Sequence, residues 1–447
     1  MSTSPGATTA SATPPQTRDW TGASVTALVF LTLISSLNYL DRSILGLVLP
    51  MIKEEMQVSD TVLGLVSGLA FVLFYTMLGL PIAWAADRFS RRNIIAIGLA
   101  FWSAMTALTG FVSSIWQLAL TRFLMGAGEA SCLAPSQSML ADLFPPRSRS
   151  MAVAIFGTAF AIASLLYYPL IGMVSEAYGW RAAFIAAGVP GMVLAALFVI
   201  FVPEPKRGGS ERAAPAPAAS VPYRQALSYM ARVRTYRCIL GGVTFMGANA
   251  FAAGAWSPTF LERVHGMSIG EIANVIGPVR GILGMAGVLA GGWLADRLGR
   301  RDPRWRMWVP GLLCLVVAPA EALFLLADAD VLWITGLALT SLFTFAHQGP
   351  IYAALLAVMP QRMRASAVAI LILFSSLVSQ ALGPLTVGMM NDWLAPAYGE
   401  MAIRYSLSVV IICAVIAGLL FMSGARTYAE DAERAAGGSE RGEAGKP

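Results

Sequence analysis

Charged residues are scarce in this chain of 447 residues. Asp, Glu, Lys and Arg make up 13% of it, whereas soluble domains carry about 25%. Apolar residues supply 57% of the chain, and the mean hydropathy is +0.66. So few charges exclude an ordinary soluble protein, because they cannot cover a surface in water. We therefore expect most of the outer surface to face lipid.

Cysteine and histidine are rare as well, with four and two residues. Each cysteine sits in an apolar run, and no pair has metal-ligand spacing, at Cys132, Cys238, Cys314 and Cys413. We interpret them as small core residues and expect neither disulfides nor a metal site. An HExxH pair, a GxSxG elbow and a phosphate-binding loop are also absent from the sequence. These absences argue against a membrane enzyme, and no cofactor is expected.

Long apolar runs, in contrast, are abundant. A bilayer core is crossed by about 20 helical residues, and runs of about that length recur twelve times between breaks of charge, Gly and Pro. The predicted spans are 22–51, 60–86, 93–112, 115–144, 150–178, 181–203, 236–263, 269–294, 305–327, 330–358, 365–390 and 400–424. The sequence therefore predicts an all-α integral membrane protein of twelve transmembrane helices. They form two six-helix bundles, over 22–203 and 236–424.

Three segments fall outside the bundles. Residues 1–21 are rich in Ser, Thr, Ala and Pro and contain no short apolar core before a cleavage site, so a disordered tail is expected. Residues 204–235 combine Pro, Ala and charge and predict a cytoplasmic linker, with an interfacial helix in its last part. Residues 425–447 are expected to form a cytoplasmic tail.

The two bundles repeat each other in sequence. AWAADRFSRR around Asp87 returns as GWLADRLGRR around Asp296, 209 residues later. PPRSRSMAVAI from Pro145 returns as PQRMRASAVAI from Pro360, 215 residues later. Two six-helix units of one topology joined by a linker are typical of transporters built from parallel repeats related by a pseudo-two-fold axis.

The basic residues indicate which way the helices run. Arg and Lys cluster in the linker and after spans 2, 4, 8 and 10, whereas the alternate loops hold only Lys53, Arg181, Arg263 and Arg404. Loops rich in Arg and Lys stay in the cytoplasm, so both termini and the linker are predicted to be cytoplasmic. Arg outnumbers Lys by 28 to 3, which favours a bacterial source and a location in the inner (plasma) membrane.

Two of the repeated loops resemble the signature loop of the major facilitator superfamily. The loop after span 8 matches it at Gly292, Asp296, Arg297, Gly299, Arg300 and Arg301. The loop after span 2 keeps the charged positions Asp87, Arg88, Arg91 and Arg92. Ala83 and Ser90 stand there where glycines are usual, and Tyr168-Pro169 replaces most of the Gly-Pro motif of span 5. The resemblance implies the superfamily's transporter fold, with both charged loops forming a cytoplasmic gate.

Within that superfamily the first half resembles the spinster lipid transporters. The matching stretches are NYLDR from Asn38, RFLMGAGEAS from Arg122, ADLF from Ala141 and RSRSMA from Arg147. The likeness is strong from about residue 36 to 205 and weaker beyond. Eukaryotic spinster proteins are associated with sphingosine-1-phosphate and lysophospholipids. The resemblance therefore implies an amphipathic, lipid-like substrate.

Ionisable residues inside the spans are candidates for the mechanism, because each costs about 2.5–3.5 kcal/mol or more. Five stand out: Asp41, Arg42, Arg122, Glu129 and Arg280. At 1.5 Å per residue, Asp41 in span 1 lies between Arg122 and Glu129 of span 4 in depth. We predict that Asp41 and Glu129 bind the coupling proton, with Arg42 and Arg122 as charge partners. The alternative is a static network of two acids and two bases.

For the substrate we single out Arg42 and Arg280, because Arg can bind a phosphate or carboxylate through two parallel hydrogen bonds. The second half offers six further candidates: Asn249, Phe251, Trp256, Phe343, His347 and Tyr352. A lone His in a span is more often a hydrogen-bonded core residue, which is the competing interpretation of His347. Glu321, near the outer end of span 9, is expected to be interfacial.

Charge is thus concentrated in the first half, and a cavity with one charged and one apolar wall suits an amphiphile. The leading hypothesis is a proton-coupled secondary transporter, expected to be a monomer, that moves a lipid-like molecule by alternating access. The alternative is a transporter of a small organic anion or a drug-like solute on the same fold. Basic residues confined to short loops argue against a nucleic-acid partner, although the pI is near 9.3.

Overall fold

All secondary structure in the computed structural model, which describes residues 20–207 and 223–443, is helical. The first half contains α1 Gly22–Met56, α2 Asp60–Ser67, α3 Leu69–Arg88, α4 Arg91–Thr109, α5 Ile115–Glu129, α6 Leu133–Leu143, α7 Pro146–Gly157, α8 Ala159–Ile162, a π-helical turn Ala163–Tyr167 and α9 Tyr168–Phe201. The linker and second half contain α10 Tyr223–Arg232, α11 Arg234–His265, α12 Ile269–Gly299, α13 Trp305–Leu326, α14 Asp330–Phe343, α15 Gln348–Ala357, α16 Arg364–Tyr398, α17 Ala402–Ser406 and α18 Val409–Glu443.

These helices make the twelve predicted crossings. Eight helical stretches among the described residues are long and apolar enough to span a membrane. Two of the eight, residues 146–201 and 361–436, contain two crossings each, which meet at Gly179 and Gly399. Both glycines have positive φ, at +82° and +56°, a backbone conformation that lets the chain reverse and that a side chain would strain. α4 and the α5–α6 pair are the remaining crossings.

The predicted span limits agree with the helices to within five residues, except at the ends of spans 11 and 12. α16 continues to Tyr398, and α18 continues past residue 424 to Glu443. A helix, α10, lies where the linker was expected to form one. The parts of the predicted tails and linker at 1–19, 208–222 and 444–447 lie outside the described residues.

Spans 4 and 10 are interrupted at equivalent points of the repeat. α5 ends at Glu129 and α6 begins at Leu133, while α14 ends at Phe343 and α15 begins at Gln348. The interruptions are separated by about the same 215 residues as the sequence repeat. Irregular backbone at membrane depth is tolerated only where it faces protein or a cavity. The interruptions of spans 4 and 10 are therefore expected to face the interior of their halves.

The helices alternate in direction, so the molecule has two faces. We call the face with the helix ends at Arg88, Phe201 and Gly299 the linker face, and the face with the ends at Met56 and His265 the far face. α4 packs on α9 in the first half as α13 packs on α18 in the second. The repeat is therefore present in the packing as well as in the sequence.

The two halves close on each other toward the far face. One hydrophobic core runs through both halves there and includes Leu45, Ile52, Phe260 and Ile272. α1 and α11 touch through their backbones, because a Cβ added to Gly46 would lie 2.7 Å from the Gly254 carbonyl oxygen. The separate cores of the two halves lie nearer the linker face.

Candidate functional site

Glu129 is the centre of a buried polar cluster in the first half. Its side chain is fully buried at the end of α5, and Arg42 Nε donates to its Oε2 at 2.8 Å. Asn38 Nδ2 donates to the same oxygen at 2.9 Å. Both donors lie on α1 one turn apart, so one face of α1 holds the carboxylate. Asn38 was not predicted, although its i, i+4 spacing from Arg42 in NYLDR is a signal that could have identified it.

Asp41 and Arg122 meet through the backbone rather than through an ion pair. Arg122 Nη1 donates to the backbone carbonyl of Asp41 at 3.0 Å. The Asp41 carboxyl lies beside Trp102 and Thr106 of α4, and its Oδ1 has no hydrogen-bond partner among the described residues. Asp41 thus contacts Arg122, and its neighbour Arg42 pairs with Glu129, seven residues farther along α5. The balanced network is not found, because only Glu129 of the two acids is ion-paired in the described structure.

Aromatic rings cover both arginines. The Arg42 guanidinium lies 4.6 Å from the ring centre of Tyr75 and 5.0 Å from that of Phe71, and Arg122 lies 5.4 Å from Phe71. Such contacts contribute about 0.5–2 kcal/mol each, more where water is excluded. α3 comes this close because Gly126 leaves the face of α5 bare, and a Cβ there would collide with the Phe71 carbonyl.

The way in which α5 ends explains how the Glu129 side chain projects into the polar cluster. The chain turns at residues 130–132 directly after it, and Ser131 Oγ donates to the Gly128 carbonyl at 2.7 Å. The Ser131 backbone N–H bonds the same carbonyl at 3.1 Å, so Ser131 holds the turn against the helix end through both its backbone and its side chain. Gly98 of α4 makes room for the turn, since a Cβ there would overlap the Ser131 side chain. The acid therefore projects from a helix end and not from a continuous helical face.

Arg280 is the predicted deep cation of the second half. It donates to the Ala253 carbonyl at 3.3 Å and to Ser257 Oγ at 3.0 Å, both on α11. Tyr168 of the first half lies nearby. Within the described residues no carboxylate lies at ion-pair distance from Arg280. Its positive charge therefore has only neutral acceptors.

The other predicted substrate residues fall into two groups. Phe251 and Phe343 are partly exposed, and Tyr352 is exposed. The remaining three are buried and have partners inside the second half: Asn249 with Glu321, Trp256 Nε1 with the Pro384 carbonyl, and His347 Nδ1 with the Thr344 carbonyl. In this conformation the buried group offers no surface to a ligand. The competing interpretation of His347, a hydrogen-bonded core residue, describes its position here.

Glu321 lies elsewhere than expected. It is 1% exposed and not interfacial, and Asn249 Nδ2 donates to its Oε1 at 2.6 Å. The Cα–Cβ bonds of a helix tilt toward its N-terminus. A long side chain near the far end of α13 therefore reaches back toward the membrane centre. Counting residues from the helix end gave the depth of the Cα atom and not that of the carboxyl group.

An apolar cavity of about 240 Å³ lies between α1 and α9, also in the first half. Its walls include Leu37, Leu40, Tyr167 and Leu194, and no charged residue lines it. Leu40 precedes Asp41 in the chain, so the cavity and the acid lie on adjacent faces of α1. The first half thus has an apolar space on one face of α1 and charged side chains on another.

The predicted gate residues lie at the linker face, and most are exposed: Asp87, Arg88, Asp296, Arg297, Arg300 and Arg301. Arg88 stacks on Trp84 at 3.8 Å, and Arg297 lies 5.4 Å from Trp293, the equivalent residue of the repeat. Neither aspartate has a hydrogen bond to the other half among the described residues. The two loops therefore do not bridge the halves in this conformation.

Arg91 is the buried exception, at 3% exposure. It pairs with Asp142 and, at 3.1 Å, with Glu204. Glu204 also accepts hydrogen bonds from Ser90 Oγ and the backbone N–H of Arg92, both at 2.8 Å. Partial burial raises the pKa of Glu204, but these bonds outweigh it and hold the pKa below its ordinary value. Ser90, where a glycine is usual, thus helps to hold the start of the linker on α4.

A second polar cluster, which the sequence did not reveal, joins the halves at the far face. Arg263 of α11 donates two bonds to Asp60 of α2, at 3.0 and 3.2 Å, and Asn391 of α16 donates to the same carboxylate. Asp392 accepts from the backbone of residues 60 and 61. Among the described residues, the hydrogen bonds between halves are those of this cluster. Asn391 and Asp392 directly follow the apolar run of span 11, and this pair of polar residues at its end was the available signal.

Two repeated halves that are closed on one side, one of them with a buried charged cluster, suit a molecule that opens its two faces in turn. A sequence model of the Major Facilitator Superfamily matches residues 31–384. The chain belongs to the major facilitator superfamily. It is therefore a multi-pass membrane transporter, as predicted, and not an enzyme.

Relatives in this superfamily include the spinster group, as predicted. A major facilitator efflux pump of Mycolicibacterium smegmatis is 32% identical over 90% of this chain and 91% of its own length. In Xenopus tropicalis, spinster homolog 1 is 30% identical over 92% of this chain and 82% of its own. A sphingosine-1-phosphate transporter of that species is 27% identical over 95% and 86%.

A solved structure supports the same assignment. A bacterial homologue of the human lysosomal transporter spinster, in an inward-facing and unoccupied conformation, superposes with a TM-score of 0.81. It is 27% identical in sequence and is matched over 98% of its own chain and 92% of this one. The fold of twelve helices in two bundles is thus shared with this major facilitator transporter across nearly the whole chain.

Proposed function

We propose that this transporter couples the movement of protons to that of an amphipathic, lipid-like molecule of the sphingolipid or lysolipid type. The supporting observation is the unequal environment of two buried acids. Glu129 is paired with Arg42 at 2.8 Å, whereas Asp41, 2% exposed, lies beside neutral groups of α4. A buried carboxylate that no cation pairs with directly costs several kcal/mol. In this conformation we therefore assign the proton to Asp41 and the negative charge to Glu129.

The two arginines connect the acids to the conformation. Arg122 bonds the Asp41 backbone, and its charge reaches both carboxyls. Arg42 follows Asp41 on α1 and holds Glu129 on α5, so a movement of α1 against α5 separates that pair. The proton affinity of the two acids then differs between the two conformations of the transporter. Coupling of proton binding to alternating access requires such a difference.

The substrate class rests on the placement of cations and apolar surface. Arg280 has only neutral acceptors, and the Arg42 side chain remains 24% exposed, so both can donate to an anionic head group. The apolar cavity beside α1 and the partly exposed Phe251 and Phe343 suit a hydrocarbon tail. One relative is named for sphingosine-1-phosphate, which has both parts.

The linker face is the cytoplasmic side of a plasma membrane in this proposal, because the basic loops lie there. The conformation described above is then inward-open. A cysteine at Ser210, which lies outside the described residues, should escape an impermeant thiol reagent added to intact cells. A cysteine at Ser113, exposed at the far face, should be labelled. The reverse result would overturn the orientation.

Transport in proteoliposomes tests the proton coupling. We expect a pH gradient to drive sphingosine-1-phosphate uptake by the wild type. Asp41→Asn and Glu129→Gln should remove the response to the gradient, because an amide mimics the protonated acid and cannot release its proton. Both variants should retain substrate exchange in the absence of a gradient.

Glu54→Gln is the matched control, since Glu54 is an exposed acid on α1. It should keep the pH response of the wild type. If the Asp41→Asn/Glu129→Gln double variant also kept that response, the cluster would be a structural ion network and the coupling site would lie elsewhere.

The second candidate substrate is a drug-like solute or a small organic anion. The name of the Mycolicibacterium smegmatis relative, an efflux pump, favours this candidate. Thermal-shift binding of lysolipids, sphingoid bases and sugar acids distinguishes the two. Stabilisation by a sugar acid but not by a lysolipid would replace the lipid-like substrate with the small anion.

A further inference from the structure

Glu321 of α13 is a buried acid that the proposed coupling cluster does not use. It is 1% exposed and accepts one hydrogen bond, from Asn249 Nδ2 at 2.6 Å. Its other oxygen, Oε2, is buried and has no hydrogen-bond partner among the described residues. A buried acid with one neutral partner and one bare oxygen is uncommon in folded proteins.

No cation of the described chain balances this carboxyl. The titratable groups that a charge on Glu321 would reach are the thiols of Cys314, on the same helix, and Cys413 on α18, and neither thiol supplies a positive charge. Arg280 of α12 turns to the α11 backbone instead. The other charged residues of α11, α12, α14 and α16 lie toward the two faces of the molecule. On α18 the first charged residue is Arg426, and α15 has no charged residue. An ionised Glu321 would be uncompensated, so it holds a proton here.

The orientation of Asn249 shows which oxygen carries that proton. Nδ2 also donates to the Val410 carbonyl of α18 at 2.9 Å. A flipped amide would set its oxygen against that carbonyl, so an N–H of Asn249 points at Glu321 Oε1. The bare Oε2 is left to carry the proton. A glutamine at position 321 could accept the same bond, so the local structure does not require an acid.

The first half has a carboxyl at the corresponding place. Asp41 of span 1 lies beside Trp102 and Thr106 of span 3 and keeps its Oδ1 bare. Asn249 and Glu321 lie on spans 7 and 9, the repeat equivalents of spans 1 and 3. Each half therefore buries a carboxyl between its first and third spans. The acid is on the first span in one half and on the third in the other.

We propose that Glu321 is a second proton-binding site of this transporter, controlled by the position of α11. Asn249 lies five residues before Gly254, where the α11 backbone meets α1 at Gly46. Opening the far face parts that contact and shifts α11, so that Asn249 leaves the carboxyl and water reaches it. Glu321 then releases its proton. The role of Glu321 in transport rests on the proposed proton coupling. The presence of a proton on Glu321 in this conformation does not.

Infrared spectroscopy of the lipid-reconstituted protein tests for the bound proton. A protonated carboxylic acid has a C=O stretching band that a carboxylate lacks. Glu321→Gln should abolish one such band at pH 7, and Asn249→Leu should shift it by removing the donor. The exposed Glu54→Gln should change none. A spectrum that Glu321→Gln leaves unchanged overturns the proposal.

Release is tested in Asp60→Ala, which breaks the far-face cluster. Where spin-label distances report an open far face, the Glu321 band should be lost at pH 7. Full retention of the band in the opened protein overturns the proposal, because the proton would not follow the conformation. Neither measurement involves transport, so the two proposals can fail separately. If the wild type transported its substrate without a pH response, the proposed function would be contradicted, but the spectra would still show whether Glu321 binds a proton. The Asp41→Asn/Glu129→Gln background should keep the Glu321 band.

Discussion

The two halves share a fold and an internal repeat but differ in how they hold buried charge. The first half places two acids, two arginines and Asn38 around the end of α5. The second half places one acid and one amide between α11 and α13, and its arginine, Arg280, bonds neutral groups elsewhere. A carboxylate can stay ionised inside a membrane only with a cation beside it. The repeat therefore preserves the place of a buried acid, while the neighbouring cations decide its charge.

Glutamine substitutions at the two sites should give the largest contrast. Glu129→Gln leaves Arg42 and Arg122 without their shared anion and should lower the free energy of unfolding by about 3 kcal/mol. Glu321→Gln exchanges one neutral group for another and should cost under about 1 kcal/mol. A thiol-reactive dye can follow thermal unfolding, because three of the four cysteines are buried. Equal losses of stability would mean that Glu321 is ionised as well.

The contact between the halves can be opened at a glycine. Gly46→Ala should force α1 from α11 at the far face, where overpacking costs about 1–3 kcal/mol, and populate the far-open conformation. Gly79→Ala is the control, since a Cβ there meets no atom within 4 Å. It should stabilise α3 by about 0.5–1 kcal/mol without a change of conformation. Spin-label distances across the far face check both. An unchanged distance in Gly46→Ala would mean that the backbones yield without opening.

The mid-span arginines should differ in what they bind. Arg280→Lys keeps the charge but loses the paired donors, so we expect sphingosine-1-phosphate to bind about tenfold more weakly, or about 1.4 kcal/mol. Arg42→Lys should weaken binding and also disturb the pH response, because Arg42 holds Glu129. The exposed Arg426→Lys should change neither. Wild-type affinity in Arg280→Ala would remove Arg280 from the substrate site.

The repeated aspartates at the linker face can be compared directly. We propose that Asp87 holds that face closed in the far-open conformation by accepting hydrogen bonds from arginines and a helix end. Asp87→Asn should then shift the population toward the linker-open conformation, by about 1 kcal/mol. Spin labels at Phe89 and Arg362, both exposed, should report longer distances. The same distances measured in Asp296→Asn show whether Asp296, the repeat equivalent of Asp87, also holds the linker face closed. Distances that do not lengthen in Asp87→Asn would exclude the gate.

The smallest effect is expected at the linker. The pKa of Glu204 is held below its ordinary value by hydrogen bonds from Arg92, Ser90 and Arg91, against partial burial, which raises it. Because this pKa is lowered in the folded protein, the stabilisation is present at neutral pH and is lost as the pH falls through the folded-state pKa. The free energy of unfolding of the wild type should therefore exceed that of Glu204→Gln by under about 1 kcal/mol at pH 7. This difference in stability should vanish below about pH 4. A difference that persisted in acid would point to packing and not to charge.

The depth of a residue could be worked out from the sequence, but its neighbours could not. Counting along two antiparallel spans placed Asp41 between Arg122 and Glu129 in depth, and in the structure Arg122 bonds the Asp41 carbonyl while the adjacent Arg42 bonds Glu129. The same counting misplaced Glu321, because its long side chain points back along α13. Depth is one coordinate, and the direction of a side chain around its helix depends on which helices pack beside it.

Residue type was a weak guide to the substrate surface. Trp256 and His347 were selected as an aromatic and a polar residue in the second half, yet both are buried against backbone carbonyls of that half. The Asp60–Arg263 pair was missed because its members lie 203 residues apart in different halves. A contact of that kind exists only once two bundles have closed on each other.

By itself the sequence determined the membrane location, the twelve spans, the repeat and the superfamily. Apolar runs of bilayer length and charged loops at fixed spacing are local features that any fold of this chain must satisfy. The tertiary structure alone decided which acid is paired and which is bare, which glycines bring backbones together, and on which face the halves meet. These depend on the relative positions of helices distant in the chain. Such positions are set by packing between surfaces and not by the composition of either one.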